Sequence, residues 1–195
     1  MFRMKKELAV LEDKVFSCKA CGLWKYRKKA VFGEGDENAK IMLIGLGPGY
    51  WENIKGKPFV GPAGKLLDSL LSFAELEREK LYITNIVKCF PPNNSPSQEQ
   101  VKICTSLYLE RQIEIISPKV IIPLGNLASE WVFKKYSLHQ ASMHKIHGKI
   151  FEVKSNEVNF IIPMYHPASA LRNPALRKTL VEDWKKIREF LQMFK

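Results

Sequence analysis

The sequence predicts an α/β sandwich on a mainly parallel central sheet, and three observations carry that expectation. Short apolar runs rich in β-branched residues, Ile41–Gly45, Leu81–Val87 and Val120–Leu124, alternate with segments of helical period. The first run empties into Gly45–Gly64, a stretch with six glycines and three prolines. So much Gly and Pro disfavours a helix or strand interior, because Gly costs backbone entropy and Pro lacks an N–H. Such a loop after a strand lies where open α/β sheets bind ligands. Finally, 195 residues at 46% hydrophobic and 26% charged can bury a sizeable core in one domain, 1–195.

Taken in order, Met4–Phe16 has a helical apolar pattern at Leu8, Val10, Leu11, Val15 and Phe16. Cys18 and Cys21 then form a tight C-x2-C turn, followed by the basic run Lys25, Arg27, Lys28 and Lys29. After the Gly45–Gly64 loop, with Trp51, Glu52 and Phe59 on it, Ala63–Ala74 reads as a helix. The Leu81–Val87 strand runs into a Pro-rich loop, Lys88–Pro96. Ser97-x-x-Gln100 is a capping box that opens a long helix to about Ile116. Pro123 places the third strand near an end, and Gly125-Asn126 turns into a helix to about Lys135. Leu138–His147 reads as irregular, and Lys149–Val153 with Val158–Met164 as a hairpin. A loop from Tyr165 to Pro174 leads to a final amphipathic helix, Ala175–Phe194.

The formal net charge of +11 points to a polyanionic partner, nucleic acid before membrane. No apolar run approaches the ~20 residues that span a bilayer. The first residues lack the apolar core and cleavage site of a signal peptide, so a cytoplasmic protein is expected. In a reducing cytoplasm the four cysteines, at 18, 21, 89 and 104, read first as metal ligands. Their spacing is C-x2-C, 67 residues, then C-x14-C, which suits a tetrahedral Zn²⁺ or a [4Fe–4S] cluster.

One family matches these residues in order. GLGPG, GKPFVGPAGKLLD, TNIVKC with PP, LERQI, SPKVIIPLG and YHPASALRN, together with the cysteines, resemble the family four uracil-DNA glycosylases from about Cys18 to Trp184. The resemblance implies a three-layer α/β/α sandwich around a four-stranded, mainly parallel sheet. It implies a [4Fe–4S] cluster on Cys18, Cys21, Cys89 and Cys104, in preference to zinc. It implies removal of uracil from single- and double-stranded DNA. Phe59 matches the aromatic that stacks on uracil, Asn85 the amide that reads its edge, and His166 the histidine beside uracil O2. Gly47 falls in the first motif, at the uracil site, and Glu52 on an acidic position of that loop. In one departure, Leu46 stands where the family usually has Glu, a position at which GLGPG is similar to family five.

Breaking an N-glycosidic bond leaves negative charge on the base and oxocarbenium character on the sugar. The site needs a donor at the developing anion, a base-reading edge and a stacking face. His166 is the candidate donor, with Glu52 as a second catalytic candidate. Asn85 can accept from uracil N3–H and donate to O4, a pattern that cytosine reverses. Lys88, Ser169 and Arg172 are candidate DNA contacts, and Leu171 a wedge for the vacated stack. No motif places a Schiff-base lysine, so strand cleavage is not expected. Two other readings compete: a non-catalytic, metal-stapled nucleic-acid-binding module, and a nucleotide-phosphate binder. The second lacks both G-x-G-x-x-G and a G-K-S/T ending. A monomer is expected. Family members can bind sliding clamps through a terminal peptide, and neither end here shows a convincing one.

Overall fold

The computed structural model describes residues 2–194, and side chains from residue 6 onward. Six strands form one sheet: β1 (Glu34–Gly35), β2 (Ile41–Gly45), β3 (Tyr82–Asn85), β4 (Val120–Pro123), β5 (Phe151–Glu152) and β6 (Phe160–Ile161). Their order is β1-β3-β2-β4-β6-β5. The inner four, β3-β2-β4-β6, are mutually parallel, and the two-residue strands β1 and β5 add antiparallel edges. The expected four-stranded parallel centre is therefore present, with a short strand appended on each side.

Helices are α1 (Phe2–Ser17), α2 (Tyr50–Lys55), α3 (Pro62–Phe73), α4 (Gln98–Cys104), α5 (Glu110–Ile116), α6 (Asn126–Lys135), α7 (Met143–Ile146), α8 (Pro167–Arg172), α9 (Leu176–Lys186) and α10 (Arg188–Gln192). The strand period sorts them into two layers. Met42 and Ile44 point into a core shared with residues of α1, α5 and α6. Ile41 and Leu43 point the other way, among residues of α3, α9 and α10. Strands buried on both faces explain the unbroken apolar runs. No helix among the described residues is long and apolar enough to cross a membrane.

Five local expectations change. The Tyr165–Pro174 loop contains α8, which Pro167 opens at its first position. The Gly45–Gly64 stretch contains a helix after all, because its glycines mark the ends of α2. Gly49 precedes it in extended geometry, and Gly56 closes it in the left-handed region at φ +79°. The capped helix from Ser97 does reach Ile116, but through a π-type turn, Thr105–Leu109, between α4 and α5. The irregular 138–147 segment includes the single turn α7. The C-terminal helix divides at Ile187, where the backbone flattens to ψ −2°.

The chain leaves β2 for β3 on one side and later returns to β4 on the other. That reversal opens a crevice beyond the carboxyl ends of β2 and β4, the expected place for a ligand.

Candidate active site

The floor of the site follows from strand register. Gly45 ends β2 directly opposite Asn85, the last residue of β3. A Cβ at Gly45 would overlap Asn85 Oδ1 and lie 2.9 Å from Phe59 Cζ. Glycine is what lets the amide and the ring close on this point. Asn85 is 2% exposed, and among the described residues its side-chain amide makes no hydrogen bond. The amide is not sealed from solvent, so its donor and its acceptor remain open to a ligand. Phe59 takes the left-handed region at φ 50° and is buried, and its ring stacks on His166 at 5.5 Å between centroids and 26° between planes.

His166 sits just before α8, after the bridge that pairs Leu124 with Met164. The Ala168 N–H donates to His166 Nδ1 at 3.1 Å. Nδ1 therefore keeps its lone pair, and a neutral ring carries its proton on Nε2. Burial pulls the imidazole down to about 4 from 6.5; the Arg172 charge acts in the same direction, and Glu52 opposes it. At neutral pH the ring is an uncharged Nε2–H donor. Gly125, at φ +89°, gives it room, since a Cβ there would lie 3.0 Å from His166 Cβ.

His166 and Gly125 border a cleft of about 420 Å³ whose lining also includes Leu46, Gly47, Ser169 and Arg172. The size falls within the usual range for small-molecule sites. Gly47 is pressed against the loop after β3, where a Cβ would lie 2.7 Å from Val87 Cγ2. Leu46 brings no polar group to the rim. Leu171 stands out on α8 at 51% exposure, as a wedge requires. Glu52 braces the backbone. Its Oε1 accepts the N–H groups of Val60 and Gly61, both at 2.8 Å, and so closes the loop that carries Phe59.

Lys88 needs correction as a phosphate contact. It is 1% exposed. Its Nζ donates to Thr84 Oγ1 at 2.7 Å, the Asn85 carbonyl at 2.7 Å and Gln112 Oε1 at 2.6 Å. Three acceptors take up its three protons, so none remains for DNA. Burial lowers this ammonium to about 7. Gln112 completes the network by donating to the Phe32 carbonyl and Tyr82 Oη, each at 3.0 Å. Lys88→Met is expected to lower stability by about 1–3 kcal/mol through the unpaired acceptors, read by thermal melting. It should leave the salt dependence of DNA binding unchanged, whereas removing a true phosphate ligand would reduce that slope by about 0.9.

The four cysteines, none in a disulfide, line one cavity with Val15, Leu23, Lys88, Ile103 and Tyr108. Among the described residues no three metal-ligating side chains are grouped to hold a single ion. The thiols line one space, and four sulfurs are a donor set that fits a bound metal centre. Donors already face the sulfurs: Lys88 N–H reaches Cys104 Sγ at 3.3 Å, and Arg27 Nη1 reaches Cys89 Sγ at 3.2 Å. Arg27 also donates to the Phe16 carbonyl at 2.6 Å, tying the end of α1 to the cavity. Its part was invisible in the sequence, where it stood as one cation in a basic run. Burial raises Cys89 and pushes Cys104 up to about 12, so without a bound cation these thiols stay protonated.

Comparison with known proteins agrees with this geometry. The profile of the Uracil DNA glycosylase superfamily matches residues 32–191. A type-4 uracil-DNA glycosylase of Sulfurisphaera tokodaii is 48% identical over 185 residues, covering 93% of this chain and 84% of the relative. One from Saccharolobus solfataricus is 47% identical, covering 94% and 86%. One from Archaeoglobus fulgidus is 43% identical, covering 90% and 88%. Matches of this extent place the chain in the uracil DNA glycosylase superfamily, within its type-4 branch.

Proposed function

We propose that this chain is a DNA-repair enzyme that flips uracil out of DNA and hydrolyses its N-glycosidic bond, leaving an abasic site. The observation that carries the reading is the buried, unpartnered Asn85 amide beside the Phe59–His166 stack. The amide reads the N3–O4 edge, and the Phe59 ring covers the base. The His166 Nε2–H meets the charge that develops on O2 as the bond breaks. With Leu46 and Gly47 where an acid or amide would hold water, the chemistry rests on stabilising the leaving base. Glu52 is a positioning residue that keeps Phe59 in place, and its charge lies close enough to His166 to act on it.

Uncatalysed flipping costs a few kcal/mol, least at a mispair. Leu171 fills the gap, while Ser169 and Arg172 hold the backbone. Leu171→Ala is expected to slow uracil release from duplex DNA by about tenfold or more and to leave single strands nearly unaffected, as nothing is unstacked there. Equal rates on both would show that Leu171 is not the wedge.

Cys18, Cys21, Cys89 and Cys104 would hold a [4Fe–4S] cluster. Its contribution is a staple, and hydrolysis draws no electrons from it. It ties the 18–21 turn to the Cys89 loop, and through Lys88 to the strand that presents Asn85. Removing the iron is expected to lower the melting temperature and uracil release together, tracked against visible absorption. Cluster-free protein with full activity would refute the staple. One monomer and one domain, 1–195, carry every residue named, and unbridged cysteines suit a cytoplasmic setting. A sliding-clamp partner is not needed for any step.

The test is release of free uracil from an oligonucleotide with a single uracil, with a product that breaks only on alkali. Failure of cluster-loaded protein to release uracil would leave the non-catalytic binding module as the better reading.

A further inference from the structure

We infer that the outer face of α2, with the Lys28–Lys29 segment fastened to it, is a stacking platform for unpaired bases of single-stranded DNA beside the target nucleotide. The inference rests on the function proposed above and extends it to a surface outside the cleft.

α2 begins at Tyr50, directly after the Gly47–Gly49 turn at the cleft rim. At helical spacing, positions 50, 51, 54 and 55 share one side. That side is apolar and open: Tyr50 is 65% exposed, Trp51 49% and Ile54 39%. The two rings meet edge to face, 5.3 Å between centroids and 84° between planes. Trp51 is backed by Gly61, where a Cβ would lie 3.1 Å from its Cδ1, so the ring has a support behind it. Such a large aromatic area is costly to leave in water without a ligand.

The charges beside it identify the ligand. Asn53, on the inner side of α2, accepts the Lys29 N–H through its carbonyl at 3.0 Å and the Lys28 N–H through Oδ1 at 2.7 Å. Lys55 extends from α2 itself. Among the described residues Lys28, Lys29 and Lys55 form no ion pair, while Lys57 is paired with Glu34 at 2.8 Å. The one acid of α2, Glu52, is turned inward to Val60 and Gly61. Lys29 packs at the end of α2, where a Cβ on Gly56 would lie 3.1 Å from its Cδ, and Lys28, Lys29 and Lys55 line a groove there with Glu12 and with Glu34, which Lys57 pairs. Exposed rings followed along one helix by cations without an ion pair suit the bases and phosphates of a nucleic acid strand. In a duplex the faces of the bases are already covered by their neighbours, so the rings select a single strand.

The test uses cluster-loaded protein and labelled, uracil-free oligonucleotides, so binding is read apart from catalysis. Fluorescence anisotropy compares one sequence as a single strand and as a duplex. Trp51→Ala and Tyr50→Ala should each weaken single-strand binding by about fivefold or more, with duplex binding within about twofold of wild type. Trp51→Phe should restore most of the loss. Trp51→Ala should keep the wild-type salt slope, while Lys28→Ala with Lys29→Ala should reduce it by about 0.7 for each phosphate left unneutralised. Tyr50, the more exposed ring, guards against a folding defect at Trp51. Equal losses on both DNA forms, or no loss on either, would overturn the platform. So would wild-type protein that releases uracil but shows no affinity for the uracil-free strand; the enzyme reading would then stand. Protein that neither binds nor releases would fail both.

Discussion

His166→Ala is expected to lower the rate of uracil release by about 10²–10³-fold, the usual cost of losing one donor at a developing anion. The loss should fall on kcat, because the hydrogen bond strengthens only as charge reaches O2. The pH profile gives a second signature. With the imidazole drawn down to about 4, kcat should stay flat through pH 6.5, and its acid limb should appear near 4. Below that limb a proton on Nδ1 would oppose the Ala168 N–H that now donates to it. The same shift links to stability. Between 6.5 and 4 the unfolded chain binds a proton that the folded ring refuses, so His166 favours folding least in acid. Its contribution is fully present above 6.5 and is lost as pH falls towards 4. An acid limb of kcat near 6.5, absent from His166→Ala, would mean that the ring is not held neutral.

Asn85→Leu is expected to move activity and stability in opposite directions. Two hydrogen bonds to the uracil edge, at roughly 1–1.5 kcal/mol each, put the loss in kcat/KM at about 30- to 150-fold. The residual preference for uracil over cytosine should shrink with it, since the reading edge is gone. The folded protein, however, loses a buried amide that has no partner in the free state. An apolar side chain of similar volume should therefore raise the melting temperature. A variant less stable than wild type would show that the amide has a structural partner, and would weaken the case for Asn85 as the reader.

Much of this site was legible because the chemistry demands particular residue types in a particular order. Asn85, Phe59 and His166 lie far apart in sequence, yet Asn85 ends β3, His166 follows β6, and parallel strands deliver their ends to one edge, where the α2–α3 connection brings Phe59. The four cysteines were legible for a different reason, through their spacing, and the fold gathers all four around one cavity. What stayed hidden depends on direction, which composition does not carry. Lys88 follows a strand as a phosphate ligand would, and only the fold shows that it turns inward to Thr84 and Gln112. Arg27 and Lys28 are neighbours in one basic run, yet one faces a sulfur and the other faces solvent. Glu52 matched an acidic position, but its two backbone bonds come from a turn eight and nine residues away.

The wide turn at Thr105–Leu109 sets the phase between the two halves of its helix. Cys104 and Gln112 are eight residues apart, which in a regular α-helix would point them about 80° away from each other. The extra residue taken up by the π-type turn brings them nearly into line. Both then meet the same residue, Cys104 at the Lys88 N–H and Gln112 at the Lys88 Nζ. One surplus residue in a helix thus acts as a spacer that keeps the sulfur cavity in step with the strand end that presents Asn85.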